Sequence, residues 1–341
     1  MRYKVAIIYN DPVPGHYEDL GERAAVLGVF EAVESVHQAL VESGYRVVRV
    51  PLLPPVESVK PALERLEVDL LFNLFEGFDG CPGSEAAVAG ILSEMGLPFT
   101  GCPSEALYFA LDKGKAKAVF EAAGINTPRY QLLNRETLDL FKLRYPCIVK
   151  PCAEDASHGI SELSVVNDRA SLEKRVAYVC GNFGGYALIE EYLDGREFNA
   201  TVLGTREPVV LPVSEIVYSL PASLPRILCF SAKWETESIY YRCTVPCCPA
   251  EIGPDLREKL ARYAVRVFRL LGGFGYARVD FRLDADGEPA VLEANPNCDI
   301  SPSSGAALQA RTDGVSYRQF IDTIVNLALE RQPVWQSTSG L

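Results

Sequence analysis

Asp280, Glu293 and Asn295 are the residues near the end of this chain whose types and spacing could hold a metal. Residues 277–283 alternate as a strand, 284–287 carry an Asp-Gly turn, and 289–294 read as the return strand, so the spacing predicts a hairpin. Positions i and i+2 of a strand share a face. Glu293 and Asn295 therefore lie together, and hairpin pairing can bring Asp280 to them. Two carboxylates and an amide oxygen suit Mg2+, which takes few protein ligands and completes its shell with phosphate oxygens. A solvated hairpin face also carries acids. Against that, Val279 and Leu292 flank these acids in apolar strands, where unpaired carboxylates are costly.

Three lysines come next. Lys150 ends the apolar run Cys147-Ile148-Val149 and precedes Pro151; Lys113 follows Asp112 at a helix start; Lys233 reads as lying on a loop in Ser231-Ala232-Lys233-Trp234. A lone lysine is usually a solvated charge. Lys150 differs because it adjoins the polar loop 151–159, whose backbone N–H groups can face phosphates. The chain has no GxxxxGK[ST] loop. In the segment 189–198 an extended run turns at Asp194-Gly195 and could offer backbone groups to an adenine edge, with a following carboxylate for ribose hydroxyls. The same residues are equally well a plain strand and turn.

The elements that must position these groups alternate. Apolar runs at 4–9, 46–51, 69–74 and 98–101 read as strands. Helical patterns fill 24–43, closed by Gly44, and 84–95, closed by Gly96. This order predicts an open parallel sheet. A helix with Asp112 and Lys113 near its start runs to Gly124. Short strands are expected at 146–150, 160–166, 187–191 and 198–203, and helices at 255–271 and 317–329. No repeat or low-complexity tract occurs.

In chain order the candidates are Asp112-Lys113, Ile148-Val-Lys-Pro151, the Ser157/Gly159 loop, Glu190-Glu191-Tyr-Leu-Asp-Gly-Arg-Glu197, Ala232-Lys233-Trp234, Arg278-Val-Asp280 and Glu293-Ala-Asn295-Pro. This set resembles the ATP-grasp superfamily and, within it, the D-alanine–D-alanine ligase-like branch; Pro98-Phe-Thr-Gly101 also matches that branch. The resemblance implies an α/β ATP-grasp fold of three units. These are an N-terminal open parallel sheet on the substrate side (1–104), a small central lobe (105–185) and a C-terminal α+β catalytic lobe (186–341).

It also implies roles. Lys113 and Lys150 would hold ATP phosphates, and Ser157 and Gly159 the loop closing over them. Glu190, Glu191 and Leu193 would meet adenine, and Glu197 the ribose. Lys233 would reach the γ-phosphate from a lid loop, and Asp280, Glu293 and Asn295 would bind Mg2+, with Mn2+ as the alternative. Arg278 would stabilise a tetrahedral oxyanion and Ser304 would hold the second substrate's carboxylate. The implied reaction activates an acid as an acyl phosphate for attack by an amine. Such chemistry needs positioning, charge neutralisation and exclusion of water, which lysines, a metal, a fixed arginine and a lid supply.

The departures from the branch lie on the substrate side. Its His-Gly motif is Phe75-Glu76-Gly77 here, its lid tyrosine is Trp234, and the serine that bonds that tyrosine is Ala156. The stretch after Glu-x-Asn reads Pro296-Asn-Cys-Asp-Ile-Ser-Pro302. The Gly-Gly-x-Ser-x-Glu motif is absent, leaving Glu31 or Glu34 as stand-ins for its glutamate. Tryptophan and alanine should be unable to rebuild the polar lid network, and a negative Glu76 should favour an ammonium or hydroxyl-rich group. A poor D-alanine–D-alanine ligase is therefore expected, active on another acid–amine pair. The alternatives are a true D-alanine–D-alanine ligase and, in another class, a small-molecule kinase or ATP-binding regulator.

Bulk properties fit this picture. The 341 residues are 48% hydrophobic and 23% charged, which suits two or three packed domains. A net charge of -12 disfavours nucleic acid as a general partner. No stretch is expected to reach the ~18 apolar residues that a membrane span needs. Ten cysteines without a leader pattern suggest free thiols in a cytoplasm, and Cys243, Cys247 and Cys248 lack zinc spacing, reading instead as small buried residues. Small-molecule acid and amine substrates and a homodimer complete the expectations.

Overall fold

The structure, a computed structural model, describes residues 3–331. Strands β1 (Lys4–Asn10), β2 (Arg46–Leu52) and β3 (Leu70–Leu74) form a parallel sheet in the order β2–β1–β3. Val5, Ala6, Ile7 and Ile8 are all fully buried, because helices cover both faces. Alternation divides them: Ala6 and Ile8 join a core with Val88 and Leu92 of the Ser84–Met95 helix. Val5 and Ile7 join Val33, Val36 and Leu40 of the Val29–Glu42 helix, together with Phe320, Ile321 and Ile324 of the Tyr317–Leu329 helix. The last helix thus completes the first sheet.

Strands β4 (Tyr130–Leu133), β5 (Cys147–Pro151), β6 (Val165–Val166) and β7 (Ala187–Glu191) form an antiparallel sheet in the order β4–β7–β5–β6. The Arg169–Phe183 helix covers it with Leu172, Val176 and Val179, and a capping box at Asp168 starts that helix. A six-stranded sheet holds β8 (Glu197–Gly204), β9 (Val209–Val210), β10 (Ser214–Tyr218), β11 (Thr244–Cys247), β12 (Gly275–Leu283) and β13 (Pro289–Pro296). Its order is β11–β10–β8–β12–β13, with β9 on β8. The Pro254–Leu270 helix seals it with Leu260, Ala264, Val267 and Phe268.

Several expectations need correction. Residues 160–166 give only the two-residue β6 after a 3-10 turn at Glu162–Ser164, and 98–101 give a single bridge from Phe99 to Leu71. Lys233 lies on a short helix, Phe230–Trp234, rather than a loop. The strand Ala187–Glu191, assigned from sequence to the C-terminal lobe, pairs inside the central sheet. Residues Arg23–Glu42, helical on both sides of Gly28, are long and apolar enough by length and composition to cross a membrane, contrary to the expectation that no stretch is. Their apolar side packs in the shared core just described. Of the three clustered cysteines, Cys247 is exposed and the other two half-buried, and all ten thiols are free.

Candidate active site

The hairpin β12–β13 pairs Asp280 with Glu293 and Arg278 with Asn295. Residues directly opposed in an antiparallel pair share a face, so all four groups converge on one side of the sheet. Arg278 grips Asp280 with a fork, Nε to Oδ1 at 2.7 Å and Nη2 to Oδ2 at 2.9 Å. Asn295 Nδ2 donates to Asp280 Oδ2 at 2.9 Å, and Asn199 Nδ2, from the facing position of β8, to Oδ1 at 2.6 Å. Asn199 was not expected from sequence; it sits in a strand buried at every position.

Four cations act electrostatically on Glu293. Lys113 Nζ is 3.7 Å from its Oε2, and Lys150, Lys233 and Arg278 also act on it. Desolvation alone would raise its carboxyl, but the cations win and pull it down to about 2. Lys113 is buried, which would lower its own pKa; the Asp155 and Glu293 carboxylates outweigh that and raise it. Its Nζ also donates to the Glu154 carbonyl and to Asp155 Oδ1 at 3.2 Å. Lys233 is the reverse case: burial, then Arg278, lowers it, with Glu293 and Asp280 opposing.

Lys150 Nζ pairs with Glu190 Oε2 at 2.5 Å, while Lys117 Nζ holds Glu190 Oε1. Lys117 is 1% exposed and also donates to Thr127 Oγ1 at 2.7 Å. Glu190, placed by resemblance at adenine, therefore anchors two cations with its carboxylate. Lys117 was overlooked because a lysine in Lys-Ala-Lys-Ala on a helix looks solvated. Glu191 is partly exposed, with Arg144 N donating to it at 3.4 Å. Leu193 O accepts from Arg282 Nη1 at 2.7 Å, and Glu197 Oε2 accepts from Arg282 Nη2 at 2.6 Å and Tyr218 Oη at 2.8 Å.

The 151–159 loop is tethered on several sides. Glu22 accepts from Gly159 N at 3.0 Å and pairs with His158 Nδ1 at 2.7 Å. Tyr17 stacks on the His158 ring at 3.8 Å and donates to Glu154 Oε2 at 2.6 Å. Ser157 Oγ donates to Leu228 O at 2.9 Å. Trp234 Nε1 donates to the Ala156 carbonyl at 3.2 Å, so the link from lid to loop that the sequence reading declared lost is rebuilt through backbone. The same ring lies against Gly28, where an added Cβ would come within 2.9 Å. Ala156 and Ser157 both have positive φ, 50° and 63°, each costing roughly 1–2 kcal/mol for a non-glycine residue. Gly159, at φ 65°, has Phe183 where a Cβ would go.

Ser304 is the N-cap of the Gly305–Thr312 helix, its Oγ accepting from Ala307 N at 3.2 Å. Nearby, Ser303 Oγ donates to Glu31 Oε1 at 3.1 Å and Ser301 bonds Asp299. Glu34, the other stand-in, pairs instead with Arg49 at 2.8 Å. Glu76 faces a small cavity shared with Asp299, Asn297 and Tyr276. Partial desolvation there, then the Asp299 and Asp155 carboxylates, pushes its carboxyl up to about 8, although the residue remains exposed to solvent. Glu85 is raised by burial and by the Asp155 charge, against a 3.3 Å bond from Asn297. Among the described residues no group of three or more His, Cys, Asp or Glu could hold a metal; the hairpin set is two carboxylates and an amide.

Residues 119–326 match the family model described as the D-ala D-ala ligase C-terminus. An uncharacterized protein of Sinorhizobium fredii is 34% identical over 306 residues, 87% of each chain. A D-alanine–D-alanine ligase of Carboxydothermus hydrogenoformans is 30% identical over 87% of this chain and 92% of its own. Among solved structures, a D-alanine–D-alanine ligase from Bacillus anthracis complexed with ATP aligns with TM-score 0.72 at 19% identity, covering 96% of this chain and 98% of that one. VanG D-Ala:D-Ser ligase from Enterococcus faecalis aligns with TM-score 0.74 at 20% identity, over 96% of this chain and 100% of that one.

Proposed function

The chain belongs to the D-alanine–D-alanine ligase family, and from that premise we propose how its cleft works. It is an ATP-dependent ligase that joins a small-molecule carboxylate to an amine. The observation that carries the assignment to this cleft is the convergence of Lys113, Lys150, Lys233 and Arg278 on one ionised carboxylate, Glu293. Such a cluster suits a polyphosphate and a divalent cation together.

Lys113 and Lys150 lie where they can hold phosphate oxygens, Lys150 kept in place by Glu190. Lys233 approaches from the short lid helix, with Trp234 fastening that helix to the phosphate loop. Closure by Glu22, Tyr17 and His158 would exclude water, protecting an acyl phosphate from hydrolysis. Arg278, kept cationic by Asp280, is positioned for a tetrahedral oxyanion. Ser157 and Gly159 belong to the closing loop, and Ser304 opens a helix whose N-terminus suits the second substrate's carboxylate. Glu190, Glu191, Leu193 and Glu197 line the adenosine side.

The donor set of Asp280, Glu293 and Asn295 fits Mg2+ or Mn2+: its oxygens are hard, and Glu293 stays ionised while half-buried. When bound, the metal would neutralise phosphate charge and orient the transferred group. The division into a substrate-side unit and two lobes belongs to the same proposal. It is supported by the three sheets, with the border of the two lobes in the 192–196 linker. The reading involves neither nucleic acid nor membrane, and a cytoplasmic homodimer is the assembly expected.

The substrate pair is proposed to differ from two D-alanines, because Glu76 and Asp299 line one small cavity and Glu85 adds a carboxyl within electrostatic reach of Glu76. The test is release of ADP and phosphate across a panel of acids and amines, with D-alanine alone as one arm. Phosphate release that requires an amine supports ligation. A stable phosphorylated acid with no amine dependence would establish the kinase reading, and strong turnover on D-alanine with no better pair would reject the substrate proposal.

A further inference from the structure

Strand β12 lays three charged groups along one face, Arg278, Asp280 and Arg282, opposite Thr201, Asn199 and Glu197 of β8. The first two belong to the reaction end of the cleft. Arg282 was not singled out from sequence and has no place in the mechanism above. It is 4% exposed, an unusual setting for a guanidinium unless it is thoroughly partnered.

Its partners all lie on the adenosine side. Nη1 donates to Leu193 O at 2.7 Å, and Nη2 to Glu197 Oε2 at 2.6 Å and to Arg226 O. The Tyr192 and Tyr218 rings flank it, with centroids 5.4 and 5.7 Å from its Cζ. Tyr218 Oη donates to the same Glu197 oxygen at 2.8 Å. Nε is buried and makes no hydrogen bond among the described residues. Three separate stretches are thus tied to one side chain: the linker between β7 and β8, the start of β8, and the segment around Arg226. Both donors to Glu197 bind Oε2, which leaves Oε1 as the oxygen for a ligand hydroxyl.

We propose that Arg282 is a positioning residue of the nucleotide site, holding Glu197 and the 192–196 linker in the one arrangement that accepts a ribose 2′-hydroxyl. The inference rests on the nucleotide half of the functional reading and on no particular acid–amine pair. A planar fork on a buried carboxylate fixes direction as well as charge, which a lysine would not do.

The test measures binding of the non-hydrolysable analogue AMP-PNP and its 2′-deoxy form to the full chain by calorimetry. The wild type is expected to prefer the ribose form. Arg282→Met should weaken AMP-PNP on the order of tenfold or more and bring the ribo-to-deoxy ratio toward one. Arg282→Lys, which keeps the charge and loses the fork, should fall between. Should Arg282→Met fail to fold, Arg282→Lys and Tyr218→Phe carry the test, both lowering the ratio. A ratio unchanged in the folded variants, with only the melting temperature lowered, would make Arg282 a purely structural residue and overturn the proposal. A wild type indifferent to the 2′-hydroxyl would overturn it as well. Binding with the expected ratio but no turnover on any pair would instead reject the ligase reading and leave Arg282 as assigned.

Discussion

At the hairpin end of the cleft, Lys113, Lys150, Lys233 and Arg278 all act on Glu293, Lys113 from 3.7 Å. Toward the N-terminal sheet Glu76 and Asp299 line one small cavity, Ser301 bonds Asp299, Ser303 bonds Glu31, and Glu85 feels the Glu76 and Asp155 charges. The first end has surplus positive charge and the second surplus carboxyl groups. Asp155 stands between them, pairing with Lys113 on one side and acting on Glu76 and Glu85 on the other. The surroundings act in opposite directions at the two ends. At Glu293 the cations outweigh desolvation and lower the carboxyl, whereas at the more exposed Glu76 desolvation and then the Asp299 and Asp155 carboxylates raise it. One end is thus prepared for an anion whatever substrate arrives.

The largest effect expected comes from the cation-rich end. Glu293→Gln removes a carboxylate on which four cations act and one of the two carboxylates proposed for the metal. Turnover should fall about 10³-fold or more, and Mg2+ dependence should shift to higher concentration. Retained turnover would mean that the cations do not serve a phosphate.

A middling effect is expected at the acidic end. Glu76→Gln should lower the kcat/KM preference for an amine bearing a second positive charge over a neutral one, on the order of tenfold. In the wild type that preference should grow as pH rises through about 8, where Glu76 ionises, and the variant should lack this step. The stability sign is opposite. A carboxyl raised from 4.5 to about 8 in the folded chain favours the protonated state, so stability falls as pH climbs across that window. Glu76→Gln should flatten the slope in denaturation midpoints. A pH-independent preference would contradict the contrast between the two ends.

The smallest effect is expected where the two ends are fastened together. Trp234→Phe keeps the packing against Gly28 but loses the bond to the Ala156 carbonyl. Turnover should drop only about three- to tenfold, with KM for ATP moving more than kcat, as single-turnover and steady-state rates would show.

What could be read from sequence followed from local period and turn chemistry. The hairpin was legible because an Asp-Gly turn and strict alternation fix which residues share a face, and Asp280 does oppose Glu293. The Tyr317–Leu329 helix was legible from its apolar spacing and has the expected bounds. The missed parts depend on distant partners. Lys117 looks like any surface lysine until Glu190 arrives from another strand, and Glu22 gains meaning only against His158 and Gly159. Strands β10 and β11 escaped notice because their pairing with each other crosses the lid segment, and the Pro246 and Cys247 end of β11 carries no strand pattern. The lid contact through Ala156 was misjudged because only side chains were considered as acceptors.

The packing of the Tyr317–Leu329 helix against the first sheet has a consequence for synthesis. Strands β1 and β3 leave the ribosome early, but Phe320, Ile321 and Ile324, which cover one of their faces, follow roughly 250 residues later. At translation rates of about 5–20 residues per second, that face waits on the order of 12–50 s for its cover. The central sheet has its own helix and can close meanwhile. The nascent chain is therefore most exposed to aggregation at its beginning, and the N-terminal half of the cleft is the last part to be assembled.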